Sequence, residues 1–321
     1  MISYTSEELK DILKKHQKWL KQEAGGECAN FDKADLRETD WSSVDLRHAS
    51  FRKADLRNAH LEHADLRHAD LRGADIRSAL CTGIDLREAA LKDADLRHAD
   101  LKGADIRSAL CTGIDLSEAT LKDADLSYSN LRHANLTRTN LVSTNLSRSD
   151  LQDATMIEVN LRFSNLTRAK LNKVNLIKAD LSHANLRQAE LRGAHLRDTD
   201  LCQSNLRQTD LREADLQRAD LRQADLQEAD LLNADLKHAN LSGASTQKVN
   251  GMDIFSIDNI GSFEGKVTYI PSLDTVYAGC WMGNLEKFRA RGIKKNQRDK
   301  KQIRNIELAY AIFLLNKQET M

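Results

Sequence analysis

Proline is almost missing from this chain: Pro271 is the only one in 321 residues. A backbone so rich in N–H donors can hydrogen-bond along nearly its whole length. Aromatic residues are also scarce, at 5%, too few for a core built on large rings. No apolar run approaches the roughly 18 residues that a membrane-spanning helix needs. The five cysteines (Cys28, Cys81, Cys111, Cys202 and Cys280) form no CxxC pair and are odd in number, which argues against a disulfide framework. The opening MISYTSEELKDILKKH lacks the apolar segment of a secretory signal. Reduced thiols and a cytoplasmic location are therefore expected. Net charge is absent too, with 48 basic and 48 acidic residues, but the balance is local. Residues 284–321 hold ten Lys/Arg against four Asp/Glu, and the first 28 residues hold five of each, so the tail carries +6 and residues 29–283 carry −6. Such an imbalance names no partner by itself.

What fills the chain instead is a period of five. From Phe31 to Leu241 an apolar residue recurs at every fifth position, 43 times without an insertion, and 35 of these centres are Leu. The exceptions include Trp41, Phe51, Cys81, Cys111 and Met156. Two positions earlier stands Ala in 29 repeats, and the residue between is mostly Asp or Asn.

A helix turns about 100° per residue, so a five-residue stripe drifts about 140° per repeat and buries no single face. A continuous strand alternates with period two, so an odd period would swap faces at every repeat. The pattern fits a three-residue extended piece followed by a corner, with positions −2 and 0 inward and −1 outward. Gly73, Gly83, Gly103, Gly113, Gly193 and Gly243 all occupy position +2, where a turn with positive φ would favour glycine. A corner in each repeat closes the chain into coils whose interior is filled by small Ala and large Leu.

These A(D/N)LXX repeats resemble the pentapeptide-repeat family. The resemblance implies an all-β solenoid: a right-handed β-helix with four repeats per coil and a quadrilateral cross-section. Forty-three repeats would then make nearly eleven coils, a rod about 50 Å long at about 4.8 Å per coil. The expected division is an N-terminal capping helix over 1–28, the repeats over 29–250, and a small α+β module over 251–321. Thr5 with Glu8 makes a capping box, Tyr4 with Leu9 a hydrophobic staple, and Gly25-Gly26 ends the helix. In the C-terminal module, 252–257, 266–270 and 275–280 read as strands, and 284–290 and 301–316 as helices.

Catalytic and metal chemistry find little support. Cys280 is the most enzyme-like residue, yet no nearby motif supplies a base, the last histidine being His238. Seven of the ten histidines sit at the +2 corner, and only His48 and His68 fall on one edge in successive coils, too few for a zinc site. No catalytic residue, cofactor or metal is expected, and the chain reads as a protein-interaction scaffold and not an enzyme. Arg occupies position +1 in 18 repeats. Residues 20 apart should stack, placing Arg47, Arg67, Arg87 and Arg107 beside a column of Asp45, Asp65, Asp85 and Asp105 that neutralises them. Some family members resemble B-DNA in size and negative charge and act on DNA gyrase, and that is the alternative reading. Enzyme activity in the C-terminal module is the least favoured.

From about 128 to 177 Asn, Ser and Thr replace Asp and Arg, and apolar residues stand at outward positions: Val142, Ile157, Phe163 and Ile177. This is the candidate contact patch for an unnamed protein partner. Nucleic acid is not expected as a partner, with the basic stretch 287–304 as its one candidate site. No membrane contact is expected, and the C-terminal helix could pair two copies of the chain.

Overall fold

The computed structural model describes residues 1–258, 266–278 and 281–319. From residue 31 onward each repeat makes the same set of bonds. The centre, +1, +2 and next −2 residues form a β-turn, closed for example by Ala34 N–H donating to Phe31 O at 3.1 Å. The +2 residue takes φ near +60° in every repeat, as at Lys33 (57°), His98 (60°) and Arg168 (59°). The turn thus needs left-handed backbone, but it does not need glycine. The strain of about 1–2 kcal/mol per ordinary residue is offset by hydrogen bonds that the turn positions.

Those bonds run between residues about 20 apart. Leu56 N–H donates to Asp75 O (2.7 Å), Asn58 N–H to Arg77 O (3.1 Å) and Asp55 N–H to Ala34 O (2.9 Å). Parallel single-residue bridges join each −1 residue to its equivalent 20 positions on, from Asn30↔Ser50 to Asp230↔Asn250. The one remaining N–H, at +1, is taken by the −1 side chain: Arg57 N–H donates to Asp55 Oδ1 at 3.2 Å, and Thr167 N–H to Asn165 Oδ1 at 3.1 Å. This explains why the outward residue is so often Asp or Asn. In two repeats where it is not, the previous coil substitutes: Asp32 Oδ1 accepts from Arg52 N–H (3.0 Å) and Asn172 Oδ1 from Arg192 N–H (3.0 Å). All five N–H groups of such a repeat are satisfied, as buried backbone requires.

The expectation of an all-β solenoid is corrected. Among the described residues regular strands are confined to β1 (Ile2–Ser3), β2 (Ala34–Asp35), β3 (Phe255–Asp258), β4 (Lys266–Ile270), β5 (Thr275–Ala278) and β6 (Trp281–Gly283). Among the described residues no sheet is closed into a barrel or curled into a solenoid, so the expected β-helix is corrected as well. The reason is the short period. A turn in every five residues leaves one bridging residue per repeat, so no run reaches strand length. The long regular elements are helices: α1 (Ser6–Leu20), α2 (Leu285–Lys295) and α3 (Lys300–Glu319).

The Leu and Ala positions form one continuous core along the repeats. Polar −2 residues are buried with partners: Thr139 Oγ1 donates to Leu116 O (2.8 Å) and Ser129 Oγ to Leu126 O (2.6 Å). At the first repeats Phe31, Trp41 and Phe51 pack ring against ring. Helix α1 lies there with Tyr4, Leu9, Ile12 and Leu13 against the core, and β1 pairs in parallel with β2. The Thr5–Glu8 capping box is formed. His16 is fully buried, and its Nδ1 accepts from Ala29 N–H at 3.1 Å. At the other end β3–β6 make a four-stranded antiparallel sheet. One side packs on α2 and α3 through Tyr269, Phe288, Ile306 and Phe313. Ile270 and Tyr277 instead join the repeat core.

Candidate interaction surface

The outer surface is a set of columns with a 20-residue step, and their charge is mostly cancelled in place. Arg57 grips Asp55 with Nε and Nη2 at 2.8 and 2.6 Å and reaches Asp75 of the next coil at 3.6 Å. Arg37, Arg77 and Arg97 repeat this on the same column, and Arg47, Arg67 and Arg87 do so on the opposite one, where Arg107 also grips Asp105. The hydrogen bond from Arg37 holds the Asp35 carboxyl down to about 2. These faces are neutral ladders.

Both acidic columns end near the middle of the repeats. On one, Asp115 is followed by Asn135, and on the other Asp125 is followed by Asn145, Asn165, Asn185 and Asn205. The four patch residues lie along this charge-poor stretch. Ile157 and Ile177 occupy one edge in successive coils, with Glu158 N–H donating to Ile177 O (3.1 Å). Val142 and Phe163 occupy the other edge, with Asn140 and Asn160 bridged on the face between. Only Phe163 is well exposed, at 54%; the other three are half-buried. The Phe163 ring stacks on His183 (4.8 Å, 14°) and has the Arg162 guanidinium 5.4 Å from its centroid. Sequence reading missed Tyr128, 57% exposed with Arg148 at 5.5 Å, because it looks like one more turn residue at +2. Leu80 and Leu110, at outward −1 positions 30 residues apart, are exposed at separate places.

The remaining candidates fall elsewhere. His48 and His68 stack ring on ring (4.8 Å, 6°), and His68 Nδ1 lies 3.4 Å from Glu88. No three His, Cys, Asp or Glu side chains converge as a metal site among the described residues. Cys81 and Cys111 are buried, and burial pushes the Cys111 thiol to about 12 and raises that of Cys81. Cys280 lies outside the described residues.

The family model for pentapeptide repeats matches successive segments of the chain from 29–67 through to 214–245, in eight copies. This chain belongs to the pentapeptide-repeat family. Its likeness to HetL, a pentapeptide-repeat protein involved in heterocyst differentiation regulation in the cyanobacterium Nostoc sp. strain PCC 7120, is 32% identity over 75% of this chain and 96% of that one, with a TM-score of 0.31. QnrB1, a plasmid-mediated fluoroquinolone resistance protein, is 17% identical over 67% of this chain and 85% of its own, with a TM-score of 0.32. Rfr23 from the cyanobacterium Cyanothece 51142 is 27% identical over 39% and 63%, with a TM-score of 0.19. No curated protein matches the chain.

The exclusion of nucleic acid as a partner is corrected. It looked for a basic surface only in residues 287–304. Overall balance also hides local asymmetry, because arginines on the Asn-bearing face lack the carboxylates that answer them elsewhere. No helix among the described residues is long and apolar enough to cross a membrane.

Proposed function

We propose that this protein is a cytoplasmic scaffold that holds a protein partner on its charge-poor middle, at the face edged by Val142, Ile157, Phe163 and Ile177. The observation that supports the reading most is the exposed Phe163 ring, held in place by His183 and Arg162. A rigid aromatic beside half-buried aliphatics is the composition that carries binding energy at protein interfaces. The Arg–Asp ladders on either side leave this stretch as the least charged part of the surface.

The test is affinity capture from lysate of the native host, comparing the unaltered protein with Ile157→Arg/Ile177→Arg and with Phe163→Ala. Circular dichroism verifies that both variants fold. A partner retained by the unaltered protein and lost by both variants supports the reading, and a topoisomerase in that position would make it a gyrase regulator. Equal retention by all three proteins refutes the patch.

A further inference from the structure

Beside the apolar patch, on the face whose outward residues are Asn145, Asn165 and Asn185, three arginines break the pattern of the molecule. Arg148, Arg168 and Arg187 line one open groove of about 340 Å³. None makes an ion pair among the described residues, whereas most +1 arginines of the earlier repeats are clasped by the aspartate two residues before them and the +2 arginines Arg138 and Arg218 meet Glu158 and Asp198 one coil away. The cause is visible in the sequence: Asn stands where Asp would answer Arg187, at both 185 and 205.

The fold does not demand this exchange. Asn145, Asn165 and Asn185 still accept the +1 N–H bonds from Ser147 (3.2 Å), Thr167 (3.1 Å) and Arg187 (3.2 Å). Replacing Asp by Asn here keeps the turn and removes only the charge. Three guanidinium groups are left beside neutral neighbours whose acceptors are already engaged: Gln188 Oε1 accepts from Arg168 Nε at 2.8 Å, and Asn165 Oδ1 accepts from Thr167 Oγ1 at 2.6 Å. The exposed Glu228 carboxyl is lowered first by its hydrogen bond from Gln208, and Arg187 is the least of the charges that act on it. Donors outnumber acceptors in the groove, which suits an oxyanion.

We propose that this groove is a phosphate-binding site. Guanidinium forks bind phosphate oxygens in pairs. Arg148 and Arg168 stand one coil apart and Arg187 one coil further, so the three span about 10 Å at about 4.8 Å per coil, room for one or two phosphate groups. The phosphate arrives either on a small molecule or on a phosphorylated side chain of a protein partner. The site does not depend on the apolar patch, so Phe163→Ala leaves it intact.

The test is calorimetric titration of the full chain with inorganic pyrophosphate at low ionic strength, where exposed charges are least screened. Saturable binding is expected, weakened at least tenfold in Arg168→Gln/Arg187→Gln and unchanged in Arg72→Gln, which alters an arginine already clasped by Asp70. A phosphoserine-peptide array, read against its unphosphorylated copy, distinguishes the sources. Phosphate-dependent capture lost in the double variant assigns a phosphorylated partner, and pyrophosphate binding alone assigns a small molecule. Absence of saturable binding to either probe, or equal weakening by Arg72→Gln, overturns the proposal. So does a single-stranded oligonucleotide that binds through the same arginines more tightly than pyrophosphate.

Discussion

The hydroxyl of Tyr277 donates to the carbonyl oxygen of Ala239 at 2.8 Å. Along the repeats the equivalent carbonyl accepts from a backbone N–H 21 residues later, as Ala229 O does from Asn250 N–H. In the last coil a tyrosine from the terminal sheet takes that role, in a position where both groups are buried. The sheet therefore ends the stack chemically as well as sterically. Burial also raises the Tyr277 phenol well above its ordinary value, so it remains a donor at neutral and mildly alkaline pH.

Tyr277→Phe keeps the ring and removes the donor. The stranded carbonyl should cost about 1–3 kcal/mol. Hydrogen exchange should report the loss at the last coil, residues 231–250, while the first coils stay protected. Uniform loss along the chain, or none, would show that the bond does not hold this end.

Asp55 separates the two tasks of the outward residue. It is 2% exposed, grips Arg57 and accepts the Arg57 N–H. Asp55→Asn retains the backbone bond and should lose about 1 kcal/mol or less, whereas Asp55→Ala loses both and should lose about 1–3 kcal/mol. Urea unfolding midpoints measure the order. Equal losses in the two variants would mean that the side-chain acceptor contributes nothing to the turn.

Acid should weaken the protein in a defined window. The Asp55, Asp70 and Asp210 carboxyls are lowered first by hydrogen bonds from Arg57, Arg72 and Arg212, and that of Asp35 to about 2 by Arg37. A carboxyl with a lower pKa when folded stabilises the protein above its unfolded value, near about 3.9. That contribution is lost as pH falls through the folded value. The urea midpoint should be flat down to about pH 5 and fall between about pH 4 and 2. A midpoint unchanged at about pH 2.5 would remove the ladders from the stability of the fold.

His16 sets a second and separate pH response. Burial lowers its pKa, while its Nδ1 holds the Ala29 N–H and its ring stacks on Trp19 at 5.8 Å. The unfolded imidazole takes up its proton first, near about pH 6.5, so stability contributed by the neutral ring is present above that pH and declines below it. Protection of the Ala29 amide, measured against its intrinsic exchange rate, should fall between about pH 6.5 and 5.5, and this fall should vanish in His16→Gln. Persistence of the same dependence in His16→Gln would assign it to another group, such as His48, which meets Trp19 edge-on at 5.8 Å.

Much of the repeat architecture was legible because inward residues recur without slippage from Phe31 to Leu241, so one coil determines the next. The Arg–Asp columns followed from the same arithmetic. The solenoid of strands did not follow. Periodicity locates inward residues but is silent on how many residues a turn consumes, and here the turn leaves one bridging residue per repeat. Glycine at Gly73 or Gly83 correctly marked the positive-φ corner, yet Lys, His and Arg adopt the same φ elsewhere.

By itself the sequence determined the family, the inward and outward positions and the stacking of like residues at a 20-residue step, since all three are properties of a strict repeat. Tertiary structure alone decided why the outward residue is Asp or Asn, because the acceptor it provides is needed only once the +1 N–H has been placed by the turn. It also decided that Tyr277 closes the last coil, a contact across 38 residues that no local pattern encodes. And it decided which +2 arginines are answered, since Arg138 meets Glu158 and Arg218 meets Asp198 one coil away, whereas the +1 arginines meet the aspartate two residues before them.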